Sequence, residues 1–488
     1  MTTQPTQPSS PRPSSPRPSS PSPSSASSVY ERSEDAVIAA LNREQLLLHA
    51  ASLHQHLHGK VSTPTIGEPM TGSFNICYSL TFDGGLRWLI KIPMVGTDDR
   101  WNEMSASALT SEVNTMRLLK RQTTIPLPEV LDFSSTLSNP IRCPFILMSY
   151  IPGMSLWEFW YKRQRGLDMK TVRIRRTRAL RGVVRAMLQL SKFTFATGGS
   201  LVFNKDGTLD PSRTGPLRMW DYQDGLNTSG PYAKYKEIPV SSDTKDYYTF
   251  MIDAHPSDHW CTTQTYALLR QFIEWIPEPT AGGKPFVLAH PDFNLQNFIV
   301  NSDGELKGVI DWDGVGALPR TIGNEKLPGW LTEDWNYDSQ NDPVKTLEEL
   351  ADEQEKPDDR EDLPYNRAVY IRLLEEEKRR MSRNKSHYQR FWNFLKERTP
   401  DGKLQQNICR MSLINDNLAA AVWDPVYRGE ILSKLVRECW LIQGCEEDYR
   451  FEGEMGAFLV GDEVDEDDPL SIEHLKQGFL MLLAEEGL

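Results

Sequence analysis

The stretch FVLAHPDFNLQNFIVNSDGELKGVIDWDGV, residues 286–315, leaves little freedom in how it can fold. Its first apolar run, Phe286 to Ala289, reads as a buried strand. Phe298-Ile299-Val300 is a second short strand, Asn301-Ser302-Asp303-Gly304 has the residues of a tight turn, and Leu306 to Ile310 is the apolar return. The last two runs pair as a hairpin, so Asn297 and Asp311 stand side by side at its open end. His290 and Asp292 lie on the loop leading into it. A surface hairpin also uses Asn and Asp as caps of turns, and either residue alone is read that way. With His290, Asp292, Asn297 and Asp311 all in register, the set reads as a site.

The spacing H-x-D-x-x-x-x-N, followed fourteen residues later by an Asp at the end of an apolar run, suits one kind of chemistry. A phosphoryl group in flight spreads charge over its oxygens, so one carboxylate must orient the attacking hydroxyl and two oxygen ligands must hold Mg²⁺. Asp292 is expected in the first role, and Asn297 and Asp311 in the second. His290 and Asp313 are expected as structural neighbours, His290 holding the loop through a backbone hydrogen bond.

Protein kinases share H-x-D-x-x-x-x-N but continue into D-F-G and A-P-E. Here Asp311-Trp312-Asp313-Gly314 stands in the D-F-G place and no A-P-E follows. The pattern resembles the aminoglycoside phosphotransferase and choline kinase-like family, in particular its fungal members of unassigned substrate. The resemblance runs from about Gly72 to the region of Arg437 and is specific at 286–315. Pro291 and Asn294 depart from the bacterial pattern, which has Gly after the His and a second His two past the Asp. That departure weakens an antibiotic substrate, not phosphoryl transfer. The resemblance implies an α+β, two-lobed protein-kinase-like fold, with a small β-rich N-lobe and a large, mainly helical C-lobe with insertions. ATP and Mg²⁺ would lie between the lobes, and the partner would be a small-molecule hydroxyl acceptor.

An ATP-holding lobe is then expected upstream. Residues 70–93 read as a turn, an alternating strand Ile76 to Phe82, an Asp-Gly-Gly turn, and a strand Leu86 to Ile92. Lys91 sits where kinases keep the lysine that pairs the nucleotide phosphates, and Glu112, on a helical stretch over 111–119, is the acid placed to hold it. Gly72 and Ser73 belong to the candidate phosphate loop, which carries one glycine. Alone, Lys91 would be a solubilising edge lysine and Glu112 part of a solvated helix face. Strands at Val130 to Phe133 and Cys143 to Tyr150 follow, and Met148, Ser149 and Tyr150 are nominated for adenine contact at the interlobe hinge. A plain core strand would look the same. The expected division is a disordered Pro/Ser-rich tail over 1–28, a nucleotide-binding lobe over 29–148, and a catalytic and acceptor-binding lobe over 149–488.

The tail lacks anything to bury, has no apolar signal core, and is poor in the pattern of a mitochondrial presequence. No apolar run approaches the ~18 residues that span a bilayer. The six cysteines show no C-x-x-C, which suits reduced thiols and a cytoplasmic protein. A net charge of −13 argues against nucleic acid. The sequence sets no oligomeric state.

Three clusters point elsewhere. His54 and His58 share a helix face at zinc-like spacing but lack a third ligand. The six arginines within Lys170 to Arg185 are expected to form a solvated helix face rather than an anion site. The acidic stretch Asp462 to Asp468 reads as a solvated loop. Between hinge and catalytic loop, a helix with Val183 to Leu190, a hairpin over Leu201 to Leu209 and a helix from Thr263 to Trp275 are expected. Helices at Arg367 to Lys396 and Arg428 to Trp440 come after. Trp220, Tyr222, Trp330 and Trp335 are candidates for lining an acceptor pocket. The competing classes are a catalytically silent nucleotide-binding scaffold, whose signature would be loss of Asp292 or Asp311, and a protein kinase, which the missing A-P-E disfavours.

Overall fold

Alternation along the strands decides which side chains reach the cleft. In β3 (Arg87–Pro93) Trp88, Ile90 and Ile92 enter one core, so Leu89 and Lys91 face the other way. The computed structural model describes residues 34–72, 74–164, 166–220, 235–254, 260–277, 284–332, 362–383, 408–423, 428–444 and 472–484. The strand β3 lies in a five-stranded antiparallel sheet with β1 (Thr65–Thr71), β2 (Asn75–Thr81), β4 (Val130–Ser134) and β5 (Phe145–Ser149), ordered β1-β2-β3-β5-β4. Along β5, Phe145 and Leu147 join the core of Trp88, whereas Ile146 and Met148 join the larger core on the opposite face.

The outer face is covered by α1 (Arg43–His58), which buries Leu46 and Ala50, together with Val37 and Leu41 from the preceding segment. Asn42 caps its start on the Gln45 N–H at 3.1 Å, and Gly59 ends it at φ +69°. His54 stacks on Phe82 at 4.5 Å and bonds the Lys60 carbonyl, so it serves this aromatic core. The other face receives α2 (Glu103–Gln122), whose Leu109, Val113, Met116 and Leu119 reach the larger core with Glu112 on the same buried side.

Beyond the hinge, β6 (Met154–Ser155) pairs with the catalytic hairpin. Five strands follow: β7 (Thr194–Phe195), β8 (Gly199–Phe203), β9 (Leu209–Gly215), β10 (Leu217–Trp220) and β11 (Tyr235–Ile238). Next come β12 (Phe286–Ala289), β13 (Phe298–Val300), β14 (Leu306–Val309) and β15 (Gly316–Pro319). They form the sheets β7-β12-β15-β8-β9, β14-β13-β6 and β10-β11. The helices are α3 (Met169–Met187), α4 (Thr244–Asp253), α5 (Trp260–Trp275), α6 (Leu363–Arg383), α7 (Ile408–Trp423), α8 (Arg428–Leu441) and α9 (Ile472–Ala484). The fold is α+β, a β-sheet lobe followed by a helical one. Residues 194–220 and 235–238 add more strand to the helical lobe than expected. The Leu201 to Leu209 hairpin is present, with Phe203 opposite Leu209 and Gly207 at φ +76° in its turn.

The arginine helix corrects the reading of a solvated face. Arg173 meets Asp362 at 2.6 Å, Arg181 meets Glu376 at 3.0 Å, and Arg185 meets Glu377 at 2.7 Å, binding α3 to α6. Arg175 and Arg178 donate to the Ser302 and Asp303 carbonyls in the turn of the catalytic hairpin. Arg176 is fully buried over the Trp160 ring. The periodicity that suggested water on one side was produced by a carboxylate-rich helix packed there. Segments 1–28 and 462–468 lie outside the described residues, as do Ser73, Tyr222, Trp335 and the side chain of Trp220.

Candidate active site

The hairpin β13–β14 forms as its apolar pattern requires, Phe298 opposite Val309 and both fully buried. The Ile310 N–H donates to the Asn297 carbonyl at 2.9 Å, which brings Asn297 next to the residue before Asp311. Asn297 then turns its amide Nδ2 onto Asp292, donating to the backbone carbonyl at 2.9 Å and to the carboxylate Oδ2 at 2.8 Å. Gln296 Nε2 donates to the same Oδ2 at 2.8 Å. With two donors on Oδ2, Oδ1 is the oxygen of Asp292 without a protein donor among the described residues. The carboxylate is exposed at the cleft.

His290 is the post behind this loop. Its Nδ1 accepts the Asp292 N–H at 3.2 Å and its Nε2 donates to the Ile310 carbonyl at 2.9 Å, an arrangement that needs the neutral ring. Burial holds its pKa below the usual imidazole value, opposing the pull of its backbone bonds and of Asp311. The Trp312 indole, fully buried, packs edge-on at 4.6 Å.

Lys91 Nζ lies 2.8 Å from Glu112 Oε1 and 2.9 Å from Asp311 Oδ1, so one ammonium ties the sheet, α2 and the hairpin end together. Burial alone would drive the proton off Lys91, but the carboxylates of Glu112, Asp311 and Asp313 hold it well above its ordinary value. Lys91 in turn keeps the Asp311 carboxyl below the usual range. Burial pushes Glu112 up to about 7 against the same lysine, so the proton of this pair sits on Lys91. Asp311 adopts φ +60°, a left-handed backbone that Asp tolerates better than most residues, and Gly314 closes the turn at φ +80°. Asp313 Oδ1 sits 3.5 Å from Arg218 Nη1.

The donor set fits a small hard cation. Among the described residues Asn297 Oδ1 has no protein donor, its amide being turned to Asp292, and Asp311 Oδ1 alone is taken by Lys91. Among the described residues no three His, Cys, Asp or Glu side chains converge to hold a metal. Such a cation would therefore complete its shell with phosphate and water oxygens, the habit of Mg²⁺.

One nomination needs correcting. Trp330 is fully buried, against Trp160 at 6.2 Å, Phe293 at 5.9 Å and Phe298 at 6.0 Å, so it packs the core and lines no pocket. At the hinge, Ser149 N–H is used on the Glu129 carbonyl and Tyr150 N–H on the Arg87 carbonyl. An adenine edge would have to be read there by carbonyls or by the segment after Tyr150. Met148 is buried, Tyr150 lies under the Arg87 guanidinium at 3.7 Å, and Gly72 donates to the Asn75 carbonyl in the turn before β2.

The motif spacing did not reveal Gln296, Arg218 or Tyr235. Arg218 and Tyr235, from β10 and β11, line one pocket with Phe74, Lys91, Glu112 and Asp313. A strand reading Leu-Arg-Met-Trp in an aromatic-rich stretch was the available signal, and nothing in it points to a site over seventy residues away.

With this geometry in hand, comparison with known proteins is informative. Residues 248–321 match the family described as Phosphotransferase enzyme family, APH. That segment is similar to the phosphotransferase enzyme family. It holds His290, Asp292, Asn297, Asp311 and Asp313. Among curated proteins, the chain is 24% identical to a subtelomeric hrmA-associated cluster protein of Aspergillus fumigatus, over 53% of this chain and 58% of that one. It is 23% identical to the clavilactone A biosynthesis cluster protein Y of Ampulloclitocybe clavipes, over 55% and 64%. It is 28% identical to the altered inheritance of mitochondria protein 9 of Candida albicans, over 30% and 23%. The chain thus spans under two thirds of the length of these relatives. Of solved structures, a fructosamine-3-kinase from Thermobifida fusca described as putative aligns at 12% identity over 79% of this chain and 96% of that one, TM-score 0.39. The aminoglycoside phosphotransferase APH(4)-Ia with AMP-PNP and hygromycin B aligns at 15% over 79% and 95%, TM-score 0.34. Scores this low add nothing to what the chain's own strands and side chains show.

Proposed function

We propose that this chain is an ATP- and Mg²⁺-dependent phosphotransferase that moves the γ-phosphoryl group to a hydroxyl of a small molecule of aminoglycoside-, choline- or amino-sugar-like character. The observation that carries the reading is the single ammonium of Lys91 shared by Glu112 and Asp311, with Asp292 held by Asn297 beside it. In this reading Lys91, steadied by Glu112, holds nucleotide phosphates. Gly72 and Ser73 form the loop over them, and Met148 to Tyr150 border the adenine. Asn297 and Asp311 would hold Mg²⁺, which supplies charge neutralisation on the phosphate oxygens. Asp292 Oδ1 receives the acceptor hydroxyl and orients it, taking its proton as the new bond forms.

The division into a nucleotide-binding lobe over 29–148 and a catalytic, acceptor-binding lobe over 149–488 belongs to the same proposal. So does a cytoplasmic location, to which the mitochondrial names of some relatives are the alternative. Among the described residues no helix is long and apolar enough to cross a membrane, and nucleic acid has no part in the proposed reaction.

The test is a screen of ATP consumption against aminoglycosides, choline, amino sugars and fungal metabolites, with mass detection of the phosphorylated product. A product formed by the parent and not by Asp292→Asn supports the reading. Nucleotide binding without a product from any acceptor class would favour the silent scaffold.

A further inference from the structure

We infer that Arg218, carried into the cleft by the β10–β11 hairpin, clamps the terminal phosphoryl group of the bound nucleotide; this rests on the phosphotransferase reading of the site. The hairpin is rooted in the core by Leu217 and Ile238, which pair with each other and are almost wholly buried. On its other face, Arg218 lies diagonal to Tyr235, and its guanidinium sits 3.5 Å from that ring. Tyr235 in turn reaches the Phe74 ring, at 6.4 Å, in the turn between β1 and β2. The arginine therefore enters the cleft on the wall that Lys91, Glu112 and Asp313 share, the phosphate end of the proposed site.

The side chain is poorly used as a structural element. Its only carboxylate contact among the described residues is the one to Asp313, at 3.5 Å, against 2.6–3.0 Å for the arginines that bind α3 to α6. Its Nε is buried with no hydrogen-bond partner among the described residues, and the side chain is 11% exposed. Apart from its packing on Tyr235, the guanidinium has one long carboxylate contact, which offsets little of the cost of bringing the charge out of water. A planar fork with unused donors, next to a lysine and facing a phosphate site, is matched by phosphoryl oxygens. In the transfer the acceptor oxygen bonds to the γ-phosphorus as the bond to the β,γ-bridging oxygen breaks. The bridging pair leaves with ADP, the hydroxyl proton passes to Asp292, and Arg218 gives up no proton while its donors follow the charge.

The experiment compares the full chain with Arg218→Ala and Arg218→Lys. It measures binding of Mg·ADP and Mg·ATP by calorimetry, and acceptor-independent ATP hydrolysis. The expected result is Mg·ADP affinity within about twofold of the parent, Mg·ATP weaker by ~10-fold, as loss of charge-assisted hydrogen bonds implies. Hydrolysis should fall by ~10³-fold, the scale of an arginine acting on a phosphoryl group. Arg218→Lys should recover little of either, and it carries the test if the alanine variant does not fold. Equal losses for ADP and ATP, no loss for either, or tighter binding on removal of the arginine would overturn the clamp. So would a defect confined to the KM of an anionic acceptor. A parent that binds neither nucleotide defeats the phosphotransferase reading and the clamp with it. A parent that binds both, with Arg218→Ala indistinguishable, defeats the clamp alone.

Discussion

Along the α3–α6 contact, Arg173, Arg181 and Arg185 each find a carboxylate, so cations and anions balance, and the arginines are a third to a half exposed. In the cleft a single buried ammonium, Lys91, stands between Glu112 and Asp311, with Asp313 beyond. Similar residue types serve different ends. A balanced interface with its arginines partly in water fixes two helices at small gain per pair, while a surplus of carboxylate around one buried ammonium leaves room for a cation that the protein does not itself supply. Lys91 also joins residues 220 positions apart, which makes the cleft the tie between the two lobes.

The largest effect expected from breaking this contrast is on turnover. Asp292→Asn should lower kcat by ~10²–10⁴-fold while leaving Mg·ATP binding close to that of the parent, since Asp292 is proposed to face the acceptor. Steady-state rates and calorimetry on the same preparation decide it; a rate within a few-fold of the parent contradicts the assignment.

Next in size is the buried pair. Lys91→Met removes the cation from Glu112 and Asp311 and should cost about 3 kcal/mol in urea unfolding at neutral pH, as breaking a buried ion pair does. The loss should be larger above pH 7 and shrink as pH falls toward it, because without the lysine that lowers its pKa Glu112 takes up a proton above the parent value of about 7. A pH-independent loss would mean that Glu112 is not the group left uncompensated.

His290 gives a smaller and opposite test. Its folded pKa lies below the unfolded value of about 6.5, so the two states bind protons equally above that pH and contribute no slope. As pH drops below it, the unfolded chain gains protons that the native ring refuses, and stability falls until the depressed folded value is passed. His290→Asn should flatten that part of the curve and lower stability overall by loss of the loop's post. An unchanged slope would show that the ring titrates freely.

Arg185→Ala, on the balanced side of the comparison, should cost under about 1 kcal/mol and leave turnover unchanged, its side chain being 48% exposed. A loss as large as that of Lys91→Met would erase the distinction between the two regions.

How much of this could be read in the sequence follows from how local each signal is. The hairpin and the four residues around it were legible because alternation, a turn and a fixed spacing all fall within thirty residues. Lys91 and Glu112 followed from strand and helix periodicity once that motif was known. Strand β1 was missed because Gly67 and Pro69 interrupt an exposed edge. The partners of the arginine helix lie nearly two hundred residues downstream, and one face of an amphipathic pattern reads alike whether water or an acidic helix covers it. Trp330 was misread for the same reason, since composition does not say which aromatic is enclosed. Arg218 reached the cleft through a hairpin whose docking depends on Leu217 and Ile238, a tertiary fact with no local trace.

The central claim, that the carboxylate surplus at the hairpin end exists to bind nucleotide through a divalent cation, is tested most directly by the Mg²⁺ dependence of ATP binding in the parent and in Asp311→Ala. Calorimetry with and without Mg²⁺ should show the parent binding Mg·ATP more tightly than ATP alone, and the variant binding both forms equally and no tighter than the parent binds free ATP. An identical Mg²⁺ dependence in the variant, or no binding by the parent in millimolar nucleotide, would contradict the account.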